Sequence, residues 1–376
     1  MKVMVVVGTR PEVIKMVPVI DALRAASIDT LVCASGQHRE MLAQALNVFS
    51  IKPDISLDAM RPGQSLNSLA ARLLADLDNV LAEQTPDWVL VQGDTTTAFC
   101  AGLAAFHRGI RVGHVEAGLR TGDLASPFPE EANRSLLARV ATRHFAPTNA
   151  ARKALLHEGI SADAISVTGN TVVDALYMAQ RIMATAATAP VLGEVIQAAS
   201  DKPVVLITCH RRENFGGVLE EICHLLQRLA ARYPDFYWVF PVHLNPNVRE
   251  PVQRILGNVA NLCLIEPVDY LTSLALISRA SLVISDSGGI QEEAPSFGVP
   301  VVVMRTHTER REGVDAGFAT LAGQSVECIE AAVVGWLDQG ARREQLKNRP
   351  NPYGDGQAAT RIVAILAGEP CGEFNG

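Results

Sequence analysis

Short runs of β-branched residues alternate along the chain with longer segments whose apolar residues recur at helical spacing, and no other feature narrows the fold so far. Residues 3–7 form the first run. A helical pattern with Val13, Val17, Ile20 and Leu23 on one face follows it, and a second run occupies 30–34. This is β-α-β syntax, the pattern of a parallel sheet with crossover helices. It continues through strands predicted at 88–92, 111–116 and 144–146 and helices predicted at 96–107 and 130–142. A second series opens with a strand at 204–208 and a helix at 218–232, then adds strands at 237–241, 262–265, 282–285 and 299–304. Two Rossmann-like, doubly wound α/β domains account for the whole pattern.

Length agrees, since 376 residues at roughly 150 per domain give about two domains. The passage between them is expected near the Gly169-Asn170 turn and the Ala- and Thr-rich stretch 184–190. That makes 1–169 an N-terminal domain, completed by a C-terminal helix within 357–376, and 170–356 a second domain. Two such sheets facing each other bring the carboxyl ends of their strands to one interdomain cleft, where open α/β sheets bind ligands.

With 33 Lys plus Arg against 40 Asp plus Glu, the net charge is −7. The chain therefore has no general footprint for nucleic acid or an anionic membrane surface, and any anion must be held by a dedicated site. No apolar run approaches the ~20 residues that span a bilayer, so membrane insertion is not expected. Seven cysteines, an odd number without a C-x-x-C pair, point to a reducing cytoplasm, and the run 3–7 is shorter than a signal-peptide core. H-E-x-x-H, cysteine clusters and EF-hand loops are absent from the sequence. Neither a metal nor a cofactor is expected.

The segment Gly8-Thr9-Arg10-Pro11-Glu12 joins the first strand to the first helix, with Gly8 permitting a tight turn and Pro11 suited to the first helical position. Arg10 and Lys15 then lie near a helix N-terminus, where an anion is favoured; a solvated turn is the bland alternative. Asp94 and Glu116 close adjacent strands, and Glu130 opens a helix. Each acid alone reads more simply as a cap, or for Glu130 as a partner of Arg134 four residues on. Three acids crowded into one cleft are different, because they raise one another's pKa toward the range where a carboxyl group works as acid or base.

In the second half, His210 and Arg211-Arg212 follow a strand, where a histidine can donate a proton to a leaving phosphate and an arginine can neutralise it. Pairing of the arginines with Glu213 and Glu220 is the structural alternative. His243 reads equally as a loop-ordering residue. Ser287, Gly288 and Gly289 open a helix with small residues that let backbone N–H groups approach a diphosphate, and Glu293 can accept from the hydroxyls of a ribose. Arg310 adds positive charge to the same rim.

These segments together resemble the non-hydrolysing UDP-N-acetylglucosamine 2-epimerase family: GTRPEVIKMVP, SGQHREML, VQGDTTT, GHVEAGLRTGD, PFPEEANR, VTGNTVVDAL, HRREN, HLNPNVR, SDSGGIQEEAPSFG and NPYGDG, in family order from residue 3 to about 367. The resemblance implies a GT-B-like two-domain fold, a homodimer, and interconversion of UDP-N-acetylglucosamine with UDP-N-acetylmannosamine through loss and readdition of UDP. By motif it makes Asp94, Glu116 and Glu130 the acids that move the C2 proton and stabilise the cation. It makes His210 the group that assists UDP departure. Arg10, Lys15, Ser287, Gly289 and Arg310 would hold the diphosphate, with Gly288 and His243 beside them and Glu293 on the ribose. Gln37, His38 and Arg39 match the segment of an allosteric substrate site.

Two departures stand out. Tyr270-Leu271-Thr272-Ser273 replaces the family's Tyr-Leu-Pro-Phe, whose Phe stacks on uracil, and Thr306-His307-Thr308-Glu309-Arg310-Arg311-Glu312 replaces Asp-Thr-Thr-Glu-Arg-Pro-Glu. The competing readings are a retaining glycosyltransferase on the same plan, an epimerase for a related UDP-amino sugar, and a nucleotide-sugar sensor without turnover.

Overall fold

A computed structural model of the chain describes residues 1–37, 39–61, 63–185, 190–211 and 216–375, with backbone alone at 39–41 and 190. Its first strand, β1 (Lys2–Val7), is buried from Val3 onward because helices cover both faces. Val3, Val5 and Val7 pack on one side; Met4 and Val6 pack on the other. The chain then runs through α1 (Arg10–Ala25), β2 (Asp29–Ala34), α2 (Arg39–Val48), β3 (Ile55–Ser56), α3 (Leu66–Gln84), β4 (Trp88–Gln92), α4 (Thr96–His107) and β5 (Arg111–Val115). It continues with α5 (Glu130–Val140), β6 (Arg143–Ala146), α6 (Asn149–His157), β7 (Ile165–Val167) and α7 (Thr171–Thr185).

The second series comprises α8 (Pro190–Ala199), β8 (Val204–Thr208), α9 (Gly217–Arg232), β9 (Tyr237–Pro241), α10 (Pro246–Leu256), β10 (Leu262–Ile265), α11 (Tyr270–Arg279), β11 (Ala280–Ser285) and α12 (Gly288–Glu293). After these come β12 (Val301–Val303), α13 (Arg311–Asp315), β13 (Ala319–Leu321), α14 (Val326–Leu337), α15 (Gly340–Leu346) and α16 (Ala358–Ala367). The chain divides into two compact units, Met1–Ala179 with Tyr353–Gly376, and Gln180–Pro352. The division falls within α7.

All strand pairs are parallel. The first unit's seven strands lie in the order β3-β2-β1-β4-β5-β6-β7 and the second unit's six in the order β10-β9-β8-β11-β12-β13. In each, the order reverses once, between β1 and β4 and between β8 and β11. Such a switch point leaves the loops after the two strands diverging, and the crevice they leave at the carboxyl ends is where α/β sheets bind ligands.

In the first unit, α16 returns along α1, and Ala359, Ile362, Val363 and Leu366 share a buried cluster with Val13, Val17 and Ile20. The second unit has its own core around Trp238, Phe240, Phe318 and Trp336. Among the described residues no helix is long and apolar enough to cross a membrane.

The sequence reading located the central strands well and missed β3, β7 and β13. These are peripheral strands of two or three residues, too short to display a period of two. β12 is also shorter than the run 299–304 suggested, and β5 ends at Val115, one residue before Glu116.

Candidate active site

At the switch point of the first unit, α1 begins at Arg10, with Pro11 in its second position. Gly8 has an unexpected reason to be glycine. Its φ is not positive; instead a Cβ there would collide with the side-chain oxygens of Thr97 and Ser35. The N-cap Thr9 makes no side-chain cap bond, and Glu12 serves the turn instead. Its carboxylate accepts from the Gly8 amide at 3.1 Å and from the hydroxyls of Thr9 at 2.7 Å and Thr95 at 2.8 Å, tying the loop after β1 to the loop after β4. Glu12 is 1% exposed. Burial pushes its pKa up to about 7 even though these hydrogen bonds favour the charged form.

Thr95, not Asp94, caps α4: its Oγ1 accepts from Ala98 N at 3.0 Å. The Asp94 carboxylate is thereby left to accept from the guanidinium of Arg134, while Asn133 Nδ2 donates to the Asp94 carbonyl at 2.9 Å. His114 secures the same turn. Burial, then the neighbouring His144, lower its pKa to about 3, so its ring is neutral near pH 7. Nε2 lies 2.7 Å from the carbonyl oxygen of Gly93, which only accepts, so Nε2 carries the proton.

Glu116, the first residue beyond β5, has φ +62. This left-handed conformation in a residue other than glycine costs on the order of 1–3 kcal/mol and persists where the surroundings enforce it. Lys15 Nζ donates to its carboxylate, and the two side chains are only 8% and 7% exposed. Removing either partner of such a buried ion pair leaves the other charge uncompensated. Glu130 opens α5, half-buried, and makes no hydrogen bond or ion pair among the described residues. Its expected partner Arg134 bonds Asp94 and lies 3.3 Å from Glu131 instead. Glu131 is 2% exposed and accepts from the amides of Thr121 and Gly122, each at 3.1 Å.

Arg10 is half-buried and makes no hydrogen bond or ion pair among the described residues. Gln37 Oε1 accepts from Thr97 Oγ1 at 2.8 Å. His38 lies outside the described residues, and Arg39 is described only as the backbone that opens α2.

The second unit's switch point is locked where β8 and β11 end side by side, with Thr208 Oγ1 and Ser285 Oγ 2.6 Å apart. Cys209 is buried immediately beyond β8, and His210 follows it. Asp286, fully buried beyond β11, accepts from the amides of His210 at 3.0 Å and Arg211 at 2.9 Å, and its Oδ1 lies 3.0 Å from His210 Nδ1. Burial would raise this carboxyl group, but the His210 ring and the two amides outweigh it and hold its pKa at about 2. Arg212 lies outside the described residues, and Glu220 pairs with Arg254 at 2.7 Å.

Ser287 is the N-cap of α12 and its N–H donates to Ser285 Oγ at 2.9 Å. Gly288 makes room for Arg310, whose Cζ would lie 2.8 Å from a Cβ at that position. Arg310 Nε donates to Glu292 Oε1 at 2.7 Å and its Nη1 to Glu309, which also pairs with Arg305 at 3.2 Å. A Cβ at Gly289 would meet only Glu293 Oε1 at 3.9 Å and Ser287 Oγ at 4.0 Å, ordinary contact distances, and Glu293 is buried farther along α12. His243 is exposed; its Nδ1 accepts from Asn245 N at 3.2 Å and orders the loop before α10. Ser273 sits in the first turn of α11, where Thr272 N donates to Asp269 Oδ1 at 2.8 Å, a bond the family's proline cannot make.

The structure therefore joins Lys15 to Glu116, Asp94 to Arg134 and His210 to Asp286, and leaves Glu130 and Arg10 without such partners among the described residues. Glu12, His114, Glu131, Arg134 and Asp286 went unselected by sequence reasoning, although all lie inside the quoted motifs. Among the described residues no group of three His, Cys, Asp or Glu side chains is placed to hold a metal ion.

Residues 21–367 match the family model described as UDP-N-acetylglucosamine 2-epimerase. The chain is 50% identical over 375 residues to the UDP-N-acetylglucosamine 2-epimerase of Escherichia coli K12, covering 97% of this chain and 98% of that one. It is similar to the crystal structure of UDP-GlcNAc 2-epimerase from Neisseria meningitidis bound to UDP-GlcNAc, with a TM-score of 0.91, 46% identity, and coverage of 98% of this chain and 100% of that one. At the level of fold alone it also resembles Acinetobacter baumannii MurG, with a TM-score of 0.59 at 15% identity over 98% of this chain and 100% of the other, so the architecture is GT-B-like. Half of all positions shared over nearly the full length, with the family's motifs in order, make this chain a member of the UDP-N-acetylglucosamine 2-epimerase family.

Proposed function

We propose that this chain is a cytoplasmic, homodimeric enzyme that interconverts UDP-N-acetylglucosamine and UDP-N-acetylmannosamine by inverting C2 of the sugar. The C2 proton has no adjacent carbonyl to acidify it, so the C1–O bond breaks first. Its electron pair leaves with the diphosphate oxygen, cationic character grows at C1, and C2–H becomes acidic. Removal of that proton gives 2-acetamidoglucal with UDP still bound; readdition of UDP at C1, with a proton delivered to the opposite face of C2, completes the inversion. Holding both fragments makes readdition effectively unimolecular.

The observation that carries this reading is Glu116, held in a left-handed conformation beyond β5 with its carboxylate against Lys15. A carboxylate held in place by a buried ammonium group suits the base and the stabiliser of a neighbouring cation. Asp94 is paired in the same way with Arg134, and Glu130, which has no cationic partner among the described residues, is the third acid of the set. His210 assists UDP departure; Arg10, Lys15, Ser287, Gly288, Gly289, His243 and Arg310 serve the diphosphate, and Glu293 the ribose. Gln37, His38 and Arg39 serve an allosteric substrate site. Exposed Phe106 on α4 and Leu136 on α5, with Leu124 and Phe128 before it, supply apolar surface for a dimer, which light scattering at twice 40.3 kDa tests.

The chemical test is incubation with UDP-N-acetylglucosamine alone in D₂O, followed by proton NMR. Deuterium appears at C2 together with the manno isomer. A chain that returns unlabelled substrate is not an epimerase; a glycosyltransferase and a sensor both give that result. Glu116→Gln lowers kcat by about 10²–10⁴-fold, the range for loss of a general acid or base, while UDP still raises the melting temperature.

A further inference from the structure

Asp286 reaches its contacts without reaching solvent. It is 0% exposed, so it cannot touch a substrate, yet its two oxygens accept from the amides of His210 and Arg211 and lie against His210 Nδ1. The His210 side chain is 45% exposed, and its Nε2 has no hydrogen bond among the described residues. Thr208 and Ser285 clamp the ends of the two strands that present this pair, so the orientation of the ring is set by β8 and β11.

The geometry points to Asp286 as a positioning residue that keeps Nδ1 of His210 protonated, fixes the ring with Nε2 outward, and stabilises the imidazolium from which the departing diphosphate takes its proton. This rests on the role proposed for His210. A carboxylate has no hydrogen to offer Nδ1, so a neutral His210 must carry its proton there and present a bare Nε2; the protonated ring carries N–H on both sides. When C1–O breaks, its electron pair goes to the diphosphate oxygen. The Nε2 proton follows, and the neutral ring keeps Nδ1–H on Asp286. Readdition of UDP to the glucal runs the same transfer backward.

Asp286→Asn tests this, because it is isosteric and removes the charge. The amide cannot satisfy the two backbone N–H groups and Nδ1–H together: an amide nitrogen turned toward Nδ1 locks the ring as the neutral Nε2–H form. We expect kcat to fall at least tenfold with KM changed less than threefold and UDP-induced heat stabilisation retained. The double variant with His210→Asn should be no slower than His210→Asn alone, since positioning acts only through the ring. If His210→Asn is slowed a hundredfold while Asp286→Asn turns over within twofold of the native enzyme, the inference is overturned and the role of His210 stands. If His210→Asn is itself unimpaired, the role of His210 falls, and the inference with it. If Asp286→Asn fails to fold, long-range ¹H–¹⁵N NMR of the ¹⁵N-histidine-labelled native enzyme decides, with His210 assigned by its loss in His210→Asn. A proton on Nδ1 supports the inference, and a bare Nδ1 refutes it.

Discussion

Several buried residues of the first unit titrate far from where solvent would place them. Glu12, with its pKa raised to about 7 by burial, is protonated in the folded chain across a pH range where the unfolded chain, at 4.5, has already lost the proton. The folded state thus binds more protons, and its advantage is complete below pH 4.5 and lost as pH rises through 7. His114 and His144, lowered by burial to about 3 and about 4, act in the opposite sense: the unfolded chain protonates first, so stability is lost as pH falls below 6.5. Comparing Glu12→Gln with the native chain isolates the first effect. The amide oxygen still accepts from Gly8 N, and a threonine hydroxyl can turn to accept from the amide. Relative to native, the variant should gain about 2–3 kcal/mol between pH 5 and pH 8, read from denaturant unfolding at each pH. A constant difference would show that Glu12 does not titrate in this range.

Most capped helices of this fold use their own N-cap side chain, as α3 does with Ser65, but α16 is capped across the tertiary structure. α16 begins after Gln357, which provides no side-chain cap; Asp174 on α7 accepts instead from Ala358 N at 3.3 Å and Ala359 N at 2.9 Å. Asp174→Ala should cost about 1–2 kcal/mol, the range for loss of an N-cap, and lower the melting temperature by several degrees. An unchanged melting temperature would show that water replaces the carboxylate at no cost. At this scale the sequence was most readable. β4, β8, β9 and β10 begin and end where their pattern says, because a run of four or five mostly apolar residues with turn residues beside it leaves little choice, and the bounds of α4 also match. Caps were read less well: Asp94 stands where a cap belongs, but Thr95 takes the position and Asp94 turns to Arg134, a choice made by a helix forty residues away.

Whole-molecule integrity depends on the chain's last segment. Without α16, the cluster formed by Val13, Val17 and Ile20 loses Ala359, Ile362, Val363 and Leu366. At roughly 1.5–3 kcal/mol for each large buried side chain, the loss is about 5–9 kcal/mol, comparable to the entire stability of a typical domain. A chain ending at Pro352 should therefore lose cooperative unfolding and protease resistance in residues 1–179; retention of both would refute this account of the cluster. The amino-acid sequence by itself determined the central strands, their alternation with helices, and the family motifs that follow the strand ends, because periodicity and turn residues act over a few positions. Only the tertiary structure decided the partners. Lys15 meets Glu116 across 101 residues, Arg134 meets Asp94 across 40, and His210 meets Asp286 across 76. These pairings follow from the neighbour relations β1-β4-β5 and β8-β11, and strand order is settled by packing the finished sheet between its helices rather than by any local pattern.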